Sequence, residues 1–531
     1  MLSNNLTAGF IVDLKSPPLL KKGDYVYGSF VKAAHTSGFI NDNNPGDRSD
    51  QIGRYPFSLQ NTKEAILYAK KAQEKWNTST VRKRMAVVNQ FQEQLETHNK
   101  SLAITLTRET GIPLWEAKQE VAMAHQYMDK LISAANTVFQ QEETASSDIE
   151  RQLQSLGTIA LLTPFSQPLL TSCWFSAAAL LMGNCVVHKP SKYTPGVGQA
   201  IAELWDRCRL PRGVFNMVQG PGSHIGQYIL SHPMVDGSLF AGSYPTATEI
   251  LHNKPPAPHH KFIGFFGGKS AAIVLNSADL THTAREILAS SVRYTGQRPT
   301  TVSRVFIVKG MADLLIDTLA ESLDQIKVGF GAEKDSYLGP MISEHWRTRY
   351  HRYGHTLYTN KHTPIRNVEN LDNEQRGYYV RPALYKINWE GGNQMLDDTP
   401  PGPILLVYEV ADYDEAVSLY NQLKFRKLVS IFGSVEELRN TNFKRLSCGG
   451  LFINRAPEDS SLPSAGMGFN SNITNGGSDI LTHLTRKKFL FGVDALREVV
   501  EEDADQDIQP DPAKMVTLIE EDSSDEDYAD W

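Results

Sequence analysis

Four cysteines in 531 residues are too few for a disulfide framework, and none is spaced as C-x-x-C. Cys173, Cys185, Cys208 and Cys448 are expected to pack as small apolar residues in a reducing compartment. Long apolar runs are missing too: the richest segment, Cys173 to Val187, is broken by Ser176, Gly183 and Asn184 and is too short to span a bilayer. At the start of the chain, Phe10-Ile11-Val12 is stopped by Asp13 and Lys15, so no secretory leader is expected. No His, Cys and Asp cluster has metal-ligand spacing, and His259-His260 reads as a loop pair. No internal repeat is evident. These absences leave a soluble, cytoplasmic, globular chain, with no metal, no nucleic acid and no membrane expected as partner.

What is present is ordinary material for two or three domains with real cores, 41% hydrophobic and 21% charged. The net charge of −7 is unevenly spread. Residues 501–531 carry thirteen Asp and Glu against one Lys, net −12, whereas residues 1–500 carry 52 basic and 47 acidic groups, net +5. A mildly basic body with an acidic tail is the better description. The tail's composition predicts disorder. It serves solubility, or else Val516-Thr517-Leu518-Ile519 adds a strand to a protein partner's sheet edge, with Tyr528 and Trp531 as anchors.

Residues 1 to about 55 read as extended chain and short strands, punctuated by Pro17, Pro18, Asn44, Pro45 and Gly46. Helical periodicity begins at Thr62, and Val81, Met85, Val88 and Leu95 share a face with one polar intrusion, Gln92. Gly111 and Pro113 stop one helix, and residues 114–135 supply the next. From Gly157 the pattern alternates: strands at 158–162, 185–188, 214–218 and 235–240, with helices at 169–181, 198–207, 224–231 and 246–252. Such alternation predicts an α/β fold with a doubly wound parallel sheet that binds ligands at the carboxyl ends of its strands. A second α/β pattern follows from Ala271 to about Asn454, with strands at 302–308, 378–387 and 428–432.

Two stretches carry the functional argument. A strand-like run ends in a glycine pair, Phe262-Ile263-Gly264-Phe265-Phe266-Gly267-Gly268-Lys269, and about thirty residues later comes Thr295-Gly296-Gln297-Arg298-Pro299-Thr300-Thr301. Together with Glu109-Thr110-Gly111-Ile112-Pro113-Leu114-Trp115-Glu116-Ala117, these resemble the aldehyde dehydrogenase superfamily. Its E-x-G-G-K/N motif carries a general base and its G-Q-x-C motif a nucleophile. The resemblance covers roughly residues 60–493, and segments such as Gly183-Asn184-Cys185-Val186-Val187-His188-Lys189-Pro190-Ser191 look most like the succinylglutamate semialdehyde dehydrogenase branch.

The resemblance implies a Rossmann-type nucleotide domain (1–137 and 157–262), a catalytic-type domain (263–454), and a β oligomerisation arm. The arm is expected from residues 138–156 pairing with a run near 487–493. Residues 455–498 return to the nucleotide domain and complete the arm, and residues 499–531 form the tail. It also implies the chemistry that is missing. Phe265 stands at the glutamate position and cannot move a proton; Pro299 stands at the cysteine position and removes both the thiol and a backbone N–H oxyanion donor. Ser166, in Thr163-Pro164-Phe165-Ser166-Gln167-Pro168, replaces the oxyanion asparagine. Thr399 and Pro401 replace the glutamate and aromatic residue that hold the nicotinamide ribose. No catalytic position is intact.

The cofactor positions are less eroded. Lys189 matches the lysine that bonds the adenosine ribose, and Lys192 replaces an acidic neighbour, which suits a 2′-phosphate or else marks a solvated surface lysine. Gly226 belongs to a glycine-rich loop, and Gly242 with Ser243 matches a turn that places pyrophosphate at a helix N-terminus. These glycines equally suit turns and helix packing with no nucleotide bound. NAD or NADP is therefore the cofactor to test. The expectation is a catalytically degenerate family member, a pseudoenzyme acting as oligomeric scaffold, regulatory subunit co-assembled with an active relative, or nucleotide sensor. The alternative is an NAD(P)-dependent oxidoreductase acting on an acidic semialdehyde, such as succinylglutamate semialdehyde, through a rearranged site. In that case Cys173 is the nearest thiol.

Overall fold

Alternating β-branched strands and amphipathic helices build two seven-stranded sheets in the computed structural model, which describes residues 14, 20–140, 149–253, 255–266, 268–371, 376–388, 399–457 and 478–491. The first sheet runs in the order Lys261–Phe266, Gly237–Gly242, Thr158–Leu162, Cys185–Lys189, Phe215–Met217, Asp24–Val26, Ser29–Val31. Its first five strands are parallel, and the last two add antiparallel at one edge. The chain reverses its direction of travel between Thr158–Leu162 and Gly237–Gly242, so a topological switch point opens at the carboxyl ends of these two strands. Both are buried along most of their length, as strands of a covered parallel sheet are.

The second sheet runs Thr363–Arg366, Ala383–Ile387, Ile404–Val410, Val302–Val308, Ser270–Val274, Leu428–Phe432, Gly450–Ile453, with only the first strand antiparallel. A separate ribbon pairs Ile149–Ser155 with Thr485–Phe491, the pairing expected of the arm. Several boundaries differ from the sequence reading by a few residues, two of them the most. The helix starting at Leu114 continues to Gln140 rather than stopping at 135, so Val138 belongs to it and not to the arm; its face buries Leu131, Ala135 and Val138 at the i, i+4, i+7 spacing that extends a helix. The strand expected over 378–387 is confined to Ala383–Ile387, because Pro382 interrupts the ladder before it. Gly267, most of the loop before Ser478, and the acidic tail lie outside the described residues.

The conspicuous Glu-Thr-Gly segment proves to be a clamp between layers. Glu109 accepts from the backbone N–H groups of Gly196 and Val197 (2.5 and 2.7 Å), the first turn of the helix Pro195–Arg207, where a carboxylate meets the positive end of the dipole. Arg108 makes a bidentate, buried pair with Asp50 at 3.0 and 2.8 Å. Gly111 ends its helix at φ +75°, where a left-handed residue is needed and Pro340 leaves no room for a Cβ.

A pH effect follows from the sheet edge. Asp24 is buried, accepts from the Gln219 backbone N–H (2.8 Å) and Asn61 Nδ2 (2.9 Å), and is pushed up by burial from 3.8 to about 6. The folded chain therefore keeps this proton at pH values where the unfolded chain has released it. The stabilisation from this group is complete below about pH 4 and is lost as pH rises through 6, on the order of 3 kcal/mol. Chemical denaturation of the parent and of Asp24→Asn at pH 4 and pH 7 should show the parent losing stability relative to the variant across that interval; parallel pH dependences would refute it.

Candidate active-site cleft

The two loops that face the switch point are held by one helix. Glu116 and Glu120, one turn apart on Leu114–Gln140, are both buried. Glu116 accepts from the Tyr294 backbone N–H at 3.1 Å and pairs with Arg293. Glu120 accepts from the Leu169 and Leu170 N–H groups (2.9 and 3.1 Å), at the start of the helix Pro168–Leu181, and from the Tyr294 hydroxyl. The loop after Thr158–Leu162 and the loop carrying Gln297-Arg298-Pro299 are thus fixed relative to each other.

The second loop is strained. Tyr294 and Thr295 both adopt φ of +54°, rare for aromatic and β-branched residues, and Gly296 follows at +62° with no space for a Cβ against the Gly402 carbonyl. Lys269 ties the strained loop to the 399–402 turn by donating to the Gly296 carbonyl and, at 3.2 Å, to the Gly402 carbonyl. Its buried ammonium, close to Arg304 and Arg298, is pushed down to about 7 by desolvation first and by those charges second. Thr295 Oγ1 completes the clamp through the Gly339 carbonyl, 3.0 Å away.

These loops enclose a cleft of about 920 Å³. Ser166, Phe265 and Pro299 all face it, as do Gly242, Ser243, Thr399 and Pro401. The sequence motifs scattered over 240 positions therefore converge on one place. Phe265, only 6% exposed, packs against Trp174 and Phe175 with ring centroids 5.2 and 4.8 Å away, and Tyr127 extends the cluster beyond Trp174. Across the cleft, Phe165 meets Tyr193 on one side (5.7 Å) and Trp346 on the other (5.6 Å), an aromatic bridge between the two halves.

Neither Cys173 nor the hydroxyls next to Pro299 are brought to this cleft. Cys173 is fully buried and absent from its walls, and its thiol is held well above the usual range by burial and then by the Glu120 carboxylate. Thr300, Thr301 and Ser303 are likewise buried and do not line it. The thiol expected as the nearest replacement, Cys173, is therefore set aside.

The remaining nucleotide positions lie beside the cleft. Lys189 is buried, donates to the carbonyls of Pro190 (2.6 Å) and Gly220 (3.4 Å), and is pushed down to about 8 by burial and then by Lys192. Gly226 packs on its stem, since a Cβ there would lie 3.4 Å from Lys189 Cδ and Cε. Lys192 is exposed, 5.0 Å from the Tyr193 ring. Ser243 is an N-cap, but the helix it caps, Tyr244–Thr248, is five residues long and passes into a π turn, and the Ser243 oxygen already accepts from Thr246. Gly242 and Ser243 thus stand at a helix N-terminus, as expected of this turn, with the Ser243 side chain engaged inside the helix. Ala247 on this helix is buried.

Sequence reading missed three features. The Glu116–Glu120 clamp was half visible, because Glu116 belongs to the recognised motif. On the helix Glu344–Thr359, His345, Arg349, Arg352 and Thr356 recur at i, i+4, i+7 and i+11 and face the cleft, a polar stripe that helical periodicity could have found. Gln167, next to Ser166, is 3% exposed, sits at φ +53° on the cleft wall, and its Nε2 has no hydrogen-bond partner among the described residues.

The aldehyde dehydrogenase family's sequence profile matches residues 30–490. The chain belongs to the aldehyde dehydrogenase family. Malonate-semialdehyde dehydrogenase 2 of Bacillus thuringiensis (strain Al Hakam) is 28% identical over 481 residues, 88% of this chain and 97% of that protein. A protein of the same name from Oceanobacillus iheyensis is 29% identical over 456 residues, 83% of this chain and 92% of that protein. Among solved structures, an aldehyde dehydrogenase from Bartonella henselae superposes with a TM-score of 0.82 at 21% identity, covering 89% of this chain and 99% of that one. A 1-pyrroline-5-carboxylate dehydrogenase from Thermus with bound NAD does so at 0.82 and 20%, over 92% and 99%. The fold is the aldehyde dehydrogenase α/β fold, with its Rossmann-like and catalytic-type parallel sheets. Among the described residues no helix is long and apolar enough to cross a membrane, and no group of three or more His, Cys, Asp or Glu is placed to hold a metal ion.

Proposed function

We propose that this aldehyde dehydrogenase family member binds its ligand in the inter-sheet cleft without oxidising it by the thiol route. The observation that carries the reading is the cleft wall itself, where Pro299 and Phe265 both stand and, among the described residues, no cysteine, aspartate or glutamate is present. Aldehyde oxidation by covalent catalysis needs a thiolate and a base within reach of the carbonyl; no thiol is among the described lining residues, and of the bases that are, Lys269 is engaged with the Gly296 and Gly402 carbonyls and His345 is exposed on the helix Glu344–Thr359. NAD fits one half of its site better than the other. Lys189 and Gly226 keep a cradle for the adenine-side ribose, whereas Thr399 and Pro401 offer no carboxylate to the nicotinamide ribose and the Phe165–Trp346 contact crosses the cleft. Under this reading the Ile149–Ser155 and Thr485–Phe491 ribbon joins subunits of this chain or of an active relative, and the protein acts as scaffold, regulatory subunit or nucleotide sensor.

The relatives favour a second reading, an NAD(P)-dependent oxidoreductase on an acidic semialdehyde, because the two described above carry the name malonate-semialdehyde dehydrogenase. One experiment separates the two. Calorimetric titration with NAD and with NADP is followed by a 340 nm assay with malonate, succinate and glutamate semialdehydes. The first reading expects no NADH or NADPH with any aldehyde, and any nucleotide heat to vanish in Lys189→Ala. Sustained turnover in the parent chain would replace it with the second.

A further inference from the structure

The charged side chains that line the cleft among the described residues are of one sign. Lys269, Arg298 and Lys427 are buried in its walls and Arg349, Arg352 and Lys424 are exposed at them, with His345 beside Arg349 on the same helix face, and among the described residues no aspartate or glutamate lines it. Arg349 and Arg352 have no carboxylate partner among the described residues; Arg349 lies 4.7 Å from the Trp346 ring. Lys424 lies 4.4 Å from the Tyr244 ring on the opposite wall. A concave, partly apolar site lined by one sign of charge focuses its field and concentrates ions of the other sign. The Nε2 of Gln167 is a donor with no acceptor among the described residues, although leaving it unsatisfied costs about 1–3 kcal/mol.

We propose that the cleft is a binding site for a small organic dianion: two carboxylates on one short skeleton, one taken by Arg349 and Arg352, the other end presenting an oxygen to Gln167 Nε2. The arginine pair lies one helical turn apart and exposed, which leaves both guanidinium forks available to oxygen acceptors. The aromatic walls formed by Trp174, Phe265 and Trp346 suit the methylene chain between the two ends. This inference rests on the cleft being a binding site, as proposed above, and is independent of whether any oxidation occurs there.

The test is calorimetry on the full chain with glutarate, its neutral diamide, inorganic pyrophosphate and NAD, in parent, Arg349→Gln/Arg352→Gln and Gln167→Leu proteins whose thermal midpoints are recorded alongside. Glutarate should bind saturably and the diamide should not. The double variant should weaken glutarate about tenfold or more, and Gln167→Leu by a smaller factor, with both proteins folded. No glutarate binding, or equal binding of the diamide, would overturn the proposal. So would binding confined to pyrophosphate or NAD and lost in the double variant, because the arginines would then be a phosphate site. Failure here with nucleotide binding intact leaves the functional reading standing, whereas NADH formation in the semialdehyde assay overturns that reading alone.

Discussion

Glu120→Leu should destabilise the protein by about 4 kcal/mol, the range expected when one member of a buried charged network is removed. Glu120 is fully buried and collects the Leu169 and Leu170 N–H groups and the Tyr294 hydroxyl, so an isosteric apolar residue leaves three donors without their acceptor. It also removes a negative charge from the start of a fourteen-residue helix, where the dipole favours one. Urea unfolding followed by tryptophan fluorescence measures the shift. Because Tyr294 and Thr295 sit in left-handed conformations that only surrounding contacts sustain, the 293–299 loop should in addition become cleavable by protease before global unfolding. A loss below 1 kcal/mol would mean that the loops are held by other contacts.

Restoring the acidic residue expected from the family motif should cost almost as much. Phe265→Glu exchanges a ring packed at 4.8 and 5.2 Å against Phe175 and Trp174 for a carboxylate in an apolar pocket. Lost packing and desolvation both count against it, together about 3 kcal/mol, and the carboxyl should stay protonated well above the usual range. Combined with Pro299→Cys, the variant should still give no aldehyde oxidation, since the cleft has been repacked around the aromatic residue. Thermal unfolding and the 340 nm assay check the two halves separately. If Phe265→Glu were neutral for stability, Phe265 would be a passive replacement, and the degenerate reading would lose its packing argument.

Much of the fold was legible because parallel strands buried on both faces write themselves as short apolar runs. Val302–Val308 and Leu428–Phe432 match their expected bounds, and Thr158–Leu162 does so in the first sheet. Helix ends were less so: nothing at Ala135 stops a helix, and the true extent to Gln140 is decided by packing. The meeting of Ser166, Phe265 and Pro299 was legible only through motif order, since the switch point that joins them is a property of topology. The arginine stripe escaped notice for a different reason. Arg349 and Arg352 are exposed and belong to no motif, and a basic helix face ordinarily means solvent. Only the fold shows that the face lines a cleft. Gln167 escaped because its neighbour Ser166 held the motif position.

The central claim is that the described walls of the cleft hold no thiol or carboxylate able to process an aldehyde. Rapid mixing of stoichiometric protein and NAD with malonate semialdehyde, recorded at 340 nm and quenched for intact-mass analysis, tests it most directly. The account predicts no absorbance burst and an unmodified protein mass. A burst approaching one NADH per chain, with an acyl adduct on any residue, would contradict it and show that a relocated nucleophile works in this cleft.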